Sequence, residues 1–297
     1  MTEAIGARRL STLLAFPGFA RLGTLDVAAL SALADEVVVP RGAALLPGGP
    51  VKHACFVLDG TVRVTARGQT HLAGPRDAVG ILELLADDPD GVEAVAETET
   101  RALAISRKAF LDFLEDSTAA AFDTLRIFAR RVVDVARTGP MFHWLGAPRL
   151  RVSPAKGPLS YADKLLCVHA ALRNAPRRLA ATAEVARVST ERRIRAGEVL
   201  WHAGDPADSG AILVSGEIEC TPRGSSRAFR ATAGDPIGGL EAMARVPRWY
   251  HAVAVSDVVL LHIEHGDLLD ILEDHVDLTI DLLRSMAAIL LRFERLA

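Results

Sequence analysis

The sequence predicts an α+β fold, two tandem antiparallel β-rolls each flanked by helices. Three observations carry that expectation. The 297-residue chain is written twice, its strands read as short β-branched runs punctuated by Gly, Pro and Asp, and helical stretches bracket each set of runs. The length suits two ordinary domains.

The repeat runs as follows. Gly42-Ala-Ala-Leu-Leu-Pro-Gly-Gly49 leads into Cys55-Phe-Val-Leu-Asp-Gly-Thr-Val-Arg-Val64, and Gly197-Glu-Val-Leu-Trp-His-Ala-Gly204 leads into Ala211-Ile-Leu-Val-Ser-Gly-Glu-Ile-Glu-Cys220. Gly42 and Gly197 lie 155 residues apart, Gly60 and Gly216 156, and Gly80 and Gly238 158. The tails Ala94-Val-Ala96 and Ala252-Val-Ala254 keep the last spacing. A drift of this kind is what loop insertions do to a duplicated fold.

Leu22, Leu25, Leu30 and Leu33 predict an apolar helix face ahead of the first roll. Asp59-Gly60 and Ser215-Gly216 are hairpin-type turn signals between apolar strands. Ser106–Arg137 reads as a long helix with a break near Asp116-Ser117, ended by Gly139-Pro140. Pro140, Pro148, Pro154 and Pro158, among the basic residues Arg149, Arg151 and Lys156, mark a linker over 139–158. Tyr161–Ala171 opens the second copy as a helix, and His265–Leu296 closes it as one. The expected domains are thus 9–138 and 159–297.

Composition excludes several classes. Half the residues are apolar and 24% charged, a globular mixture with only 5% aromatics, so the core rests on Leu, Val and Ala. A net charge of −3 offers no global field for a polyanion, and no nucleic-acid partner is expected. No charge-free run reaches the ~18 apolar residues of a membrane helix, so no membrane partner is expected either. Arg8-Arg9 before Leu10–Ala20 mimics an export signal, but Glu3 and the interrupting Pro17-Gly18 break the pattern. Cys55, Cys167 and Cys220 lie far apart, which fits a reducing, cytoplasmic setting.

No nucleophile elbow, phosphate loop of the Walker type or dinucleotide fingerprint is present, and no enzyme is expected. His262 and His265 stand beside Glu264 and Asp267, but His262 falls on a strand and the spacing suits no metal. They read as surface histidines at a strand end.

A glycine opening a short helix, followed about ten residues on by Pro-Arg and then two strands, resembles the phosphate cassette of the cyclic-nucleotide-binding domain. That family includes bacterial catabolite activators and protein kinase A regulatory subunits. The resemblance spans nearly the whole chain as two copies. It implies that helix amides and an arginine hold a cyclic phosphate while a carboxylate on the helix accepts from the ribose hydroxyl. In the second copy it assigns Gly238, Gly239, Leu240, Arg248, Trp249 and Tyr250 as ligand-binding residues, with cAMP or cGMP as the candidate ligand and no other cofactor. Gly239 stands where the family has its glutamate, and Glu241 is rotated ~200° away on a helix. Trp249 and Tyr250 either cover a bound base or fill the core.

The first copy keeps Gly80 but has Ile81 at the glutamate position and Asp90 at the arginine position, beside Asp87 and Asp88. It is expected to bind no nucleotide. Arg8-Arg9-Leu10-Ser11 resembles the basophilic-kinase motif found ahead of kinase A regulatory domains, but it reads, like Arg177-Arg178-Leu179-Ala180, as a solvated helix start. Leu278, Leu282, Met286, Ile289, Leu290 and Phe293 stripe the last helix, which packs on its own domain or forms a homodimer seam. No winged helix-turn-helix follows, so no DNA-binding domain is expected. The resulting expectation is a non-enzymatic regulatory sensor with an unidentified protein partner. Its alternative is a ligand-independent interaction scaffold with two vestigial pockets.

Overall fold

Short strands build each half of the chain, some alternating buried and exposed residues and others, such as 53–59 and 258–264, buried along most of their length, and among the described residues one eight-strand plan appears twice. The computed structural model describes residues 10–14, 16, 19, 22–138, 157–172, 179–224 and 227–294. The Arg8-Arg9 and Arg177-Arg178 pairs and linker residues 139–156 lie outside them. The described residues divide into two compact units, 1–124 with 283–297, and 125–282.

The first roll comprises β1 (Asp35–Val39), β2 (Ala44–Pro47), β3 (His53–Asp59), β4 (Val62–Ala66), β5 (Gln69–Ala73), β6 (Ala78–Val79), β7 (Glu93–Ala96) and β8 (Thr100–Ser106). They form two antiparallel sheets of order β1-β8-β3-β6 and β2-β7-β4-β5. Leu46, Cys55, Val57, Val62, Val64, Ala73 and Ala94 meet between the sheets as one apolar cluster. The helix α1 (Thr24–Leu33) precedes the roll, and the short α2 (Ile81–Ala86) sits between β6 and β7. After β8 come α3 (Arg107–Asp116) and α4 (Thr118–Thr138), parted at Ser117 as the sequence predicts. The Ser106 hydroxyl caps α3 by accepting from the Ala109 amide, and the Ser117 hydroxyl accepts from the Ala120 amide.

The second roll repeats the plan. After α5 (Tyr161–Ala171) and α6 (Leu179–Val188) come β9 (Thr190–Ile194), β10 (Val199–Trp201), β11 (Ser209–Ser215), β12 (Glu217–Pro222), β13 (Phe229–Thr232) and β14 (Pro236–Ile237). Then follow the short α7 (Gly239–Ala244), β15 (Tyr250–Ala254), β16 (Val258–Glu264), α8 (His265–Asp274) and α9 (Val276–Glu294). The sheets are β14-β11-β16-β9 and β10-β15-β12-β13.

Three expectations need correction. Asp59-Gly60 and Ser215-Gly216 do not close hairpins, because β3 pairs with β6 and β8 while β4 pairs with β5 and β7. The turns instead carry the chain from one sheet to the other, and β11–β12 do the same. Gly60 (φ +89°) and Gly216 (φ +86°) are required there: a Cβ on Gly60 would lie 2.7 Å from the Thr100 hydroxyl, and one on Gly216 2.9 Å from the Val258 Cα. In α1 the buried pair is Val27 and Leu30, while Leu25 is 86% exposed. Leu22 and Leu30 are buried as expected, but Leu25 and Leu33 are exposed, and Val27 takes the inner face of the helix. The closing helix is also two helices, parted at His275, and so mirrors the break at Ser117.

Met286, Leu290 and Phe293 of α9 are buried within the single chain, with Leu283, Ala287 and Leu291 beside them. Among the described residues no helix is long and apolar enough to cross a membrane.

Candidate functional site

In the second roll, β14 ends at Ile237 and the chain must turn sharply into α7. Gly238 makes that turn in the left-handed region at φ +74°, and a Cβ there would be 3.1 Å from the Trp201 ring and would run into the Arg248 guanidinium. Gly80 makes the same turn in the first roll, at φ +81°. The loop after α7 then returns to β15 through Pro247 and Arg248. Backbone bonds hold Arg248 to the preceding turn: its amide donates to the Asp205 carbonyl (2.9 Å), and its carbonyl accepts from the Gly204 amide (2.8 Å).

Arg248 points inward and is only 3% exposed. Nη1 donates to the Gly238 carbonyl at 2.6 Å, and Nη2 to the Ser209 carbonyl at 2.7 Å and the Ser209 hydroxyl at 3.3 Å. The guanidinium lies over the Trp201 ring, 4.3 Å from its centroid. One side chain thereby ties the start of α7, the start of β11 and β10 together. Arg248 also lines a cavity of about 350 Å³, with Trp201, Asp208, Ser209, His262 and Glu264 among its walls. The volume is in the range of small-molecule sites.

The remaining sequence-assigned residues fall as follows. Gly239 opens α7 with no atom within 4 Å of a Cβ placed on it, and Leu240 is half-buried. Trp249 and Tyr250 are buried in an aromatic cluster: Trp249 stacks on Phe229 at 5.8 Å, and Tyr250 meets Trp249 edge-on at 4.9 Å. The cavity wall is completed by Trp201 rather than by either of them. Trp201 occupies the repeat position of Leu46, so an aromatic replacing a core leucine was the signal that could have found it.

Not every buried polar group in this cassette finds a partner: Arg248 Nε and Trp201 Nε1 are buried without one. Glu241 is 2% exposed, and burial pushes its carboxyl pKa up against the opposing pull of its own amide, the Arg248 charge and the Trp249 indole. Burial likewise pushes the Tyr250 phenol pKa up, with the Arg248 charge acting the other way. His262 is corrected from a surface histidine to a cavity wall, its side chain 16% exposed and its Nδ1 3.6 Å from the Glu264 carboxylate. Burial lowers its pKa, with Glu264 acting the other way.

The first roll fills the corresponding place differently. Arg67, in the β4–β5 turn, reaches Glu83 of α2 at 3.3 Å and also pairs with Asp88, all three side chains being under a tenth exposed. Asp87 pairs with Arg107 at the start of α3. The loop expected to be bare acidic charge therefore has two of its carboxylates neutralised by arginines distant in sequence.

Residues 36–117 and 191–275 match the cyclic nucleotide-binding domain, and the chain belongs to that family, with the domain present twice in tandem. The chain is similar to several solved structures. The regulatory subunit of a cAMP-independent protein kinase A from Trypanosoma brucei is 16% identical, over 93% of this chain and 90% of that one, with a TM-score of 0.38. The regulatory domain of Toxoplasma gondii PKA with cAMP is 17% identical, over 93% and 97%, with a TM-score of 0.36. The sensor domain of the transcriptional regulator DNR from Pseudomonas aeruginosa is 20% identical, over 48% and 98%, with a TM-score of 0.40. No curated protein matches the chain. The family assignment rests on the two matched segments.

Proposed function

We propose that this is a non-enzymatic regulatory protein that senses a cyclic nucleotide, cAMP or cGMP, through its second roll alone. The duplicated unit runs over 9–138 and 159–297, with 139–158 joining the two copies. The observation that carries the reading is Arg248, a buried guanidinium on the wall of a cavity of ligand size. A cyclic phosphate draws Nη1 and Nη2 from the Gly238 and Ser209 carbonyls, and that exchange loosens the start of α7 from β11. The first roll, with Asp90 in place of the arginine and Arg67 committed to Glu83 and Asp88, is structural. Three free, buried cysteines suit a reducing cytoplasm.

Titration calorimetry of the full chain with cAMP and with cGMP tests this. A hydrogen bond to a charged group contributes about 1.5–3 kcal/mol, so Arg248→Ala is expected to weaken binding by roughly ten- to hundredfold. Arg248→Lys, which keeps the charge and loses the fork, is expected to fall between. Absence of heat and of thermal shift with both nucleotides at about millimolar concentration, where even weak complexes form, sinks the sensor reading.

A second reading has its own observation. Both terminal nitrogens of Arg248 are already bonded by the chain, to the Gly238 and Ser209 carbonyls. An arginine fork already taken by the chain favours a scaffold with two vestigial pockets, whose rolls serve only protein contact.

A further inference from the structure

The two copies differ in charge where the cassette loop meets the helix that follows the roll. In the first copy, Asp87 ends α2 in the left-handed region (φ +57°) and pairs with Arg107, the first residue of α3. Adding the cassette offset of 158 maps Asp87 onto Arg245 and Arg107 onto His265. Arg245 ends α7 in the same left-handed conformation (φ +52°), and His265 is the first residue of α8. An attractive pair in one roll is thus replaced by two basic side chains in the other. Both ring nitrogens of His265 are buried without a hydrogen-bond partner.

We propose that the junction between the α7 loop and α8 is a proton-sensitive latch, closed while the His265 ring is neutral and loosened when it takes a proton. The charges that act on the ring are those of Arg245, at the end of α7, and Arg126 of α4, both opposing a positive charge there. The turn before β11 contributes the Asp208 carbonyl, which accepts from the His265 backbone amide at 2.8 Å, and the Asp208 carboxylate there accepts from the Ser209 hydroxyl at 3.2 Å. The helix α6 meets α8 farther along, where Glu184 lies 3.3 Å from His275. An imidazolium at 265 would therefore be a poorly solvated cation beside two others.

The sign follows from the environment. Burial first, then Arg245 and Arg126, hold the His265 pKa below its ordinary 6.5, so the folded roll binds fewer protons than the unfolded chain. Stability from the neutral ring is whole above that ordinary value and declines as pH falls below it. The latch operates whether or not a nucleotide binds.

Amide hydrogen exchange of the full chain, compared at about pH 7.5 and about pH 5.5 after correction for intrinsic rates, tests the proposal. Acidification is expected to speed exchange several-fold in residues 239–246 and 265–272 of the native chain. His265→Gln is expected to remove that acceleration, and His262→Gln to leave it. Replacing His265 with Arg and Arg245 with Asp together rebuilds the pair of the first roll, and slow exchange at both pH values is expected. Equal acceleration in the native chain and His265→Gln, or none in the native chain, overturns the proposal. If His265→Gln fails to fold, Arg245→Asp alone decides: an undiminished acceleration there overturns the latch.

Discussion

Gly238 is placed where any side chain would be strained twice, by its left-handed backbone and by the Arg248 guanidinium packed against it. Gly238→Ala is expected to destabilise the second roll by about 1–3 kcal/mol, read as a lower thermal midpoint, and to disturb the Arg248 bond to the Gly238 carbonyl. Arg67 poses the opposite case, a buried cation whose removal leaves Glu83 and Asp88 facing each other. Arg67→Ala is expected to cost about 3–5 kcal/mol in denaturant unfolding, because it strands buried carboxylates. Replacing Glu83 and Asp88 with Gln and Asn in the same chain should recover part of that loss, and no recovery would argue against an electrostatic cause. The Arg248 position was legible from its ten-residue spacing after Gly238. The Arg67 cluster was not, since Arg67 and Asp88 are 21 residues apart with no periodic relation.

At the scale of elements, helix starts are fixed by local hydrogen bonds. Ser160 and Asp163 form a reciprocal capping box at α5: the Ser160 hydroxyl accepts from the Asp163 amide at 3.2 Å, and the Asp163 carboxylate accepts from the Ser160 amide at 3.0 Å. The Ser160 hydroxyl also donates to the Asp163 carboxylate at 2.7 Å, and that bond, with the one from the Ser160 amide, holds the exposed Asp163 carboxyl below its ordinary pKa. Ser160→Ala is expected to cost about 1 kcal/mol, seen as faster exchange in the first turn of α5. Strand partners were less legible. A glycine after Asp59 reads as a hairpin from local turn chemistry, yet here it permits passage between sheets. That choice depends on β8, which lies beside β3 in space and forty residues on in sequence. Helix faces divided the same way: of the α4 stripe Leu125, Phe128, Val132 and Val135, the first three are buried and Val135 half-buried, whereas the α1 leucines were decided by what packs on them.

Across the whole molecule, the two copies share a core and differ in how they satisfy their cassettes. Leu213, fully buried between the sheets of the second roll, is the counterpart of Val57 in the first. Leu213→Ala is expected to cost about 2–5 kcal/mol, and calorimetry should show the loss in the unfolding of the second roll. The repeat, the roll strands, the helix break at Ser117 and the register of Gly238 with Arg248 were determined by the sequence alone, because local backbone preference and regular spacing encode them. Only the tertiary structure decided which donors remain for a ligand. Sequence distance carries no information on whether a guanidinium bonds a carbonyl across the roll, whether Trp201 or Trp249 lines the cavity, or whether His265 meets an arginine. Those outcomes come from long-range packing, where a shift of a few ångströms exchanges a solvated charge for a buried one.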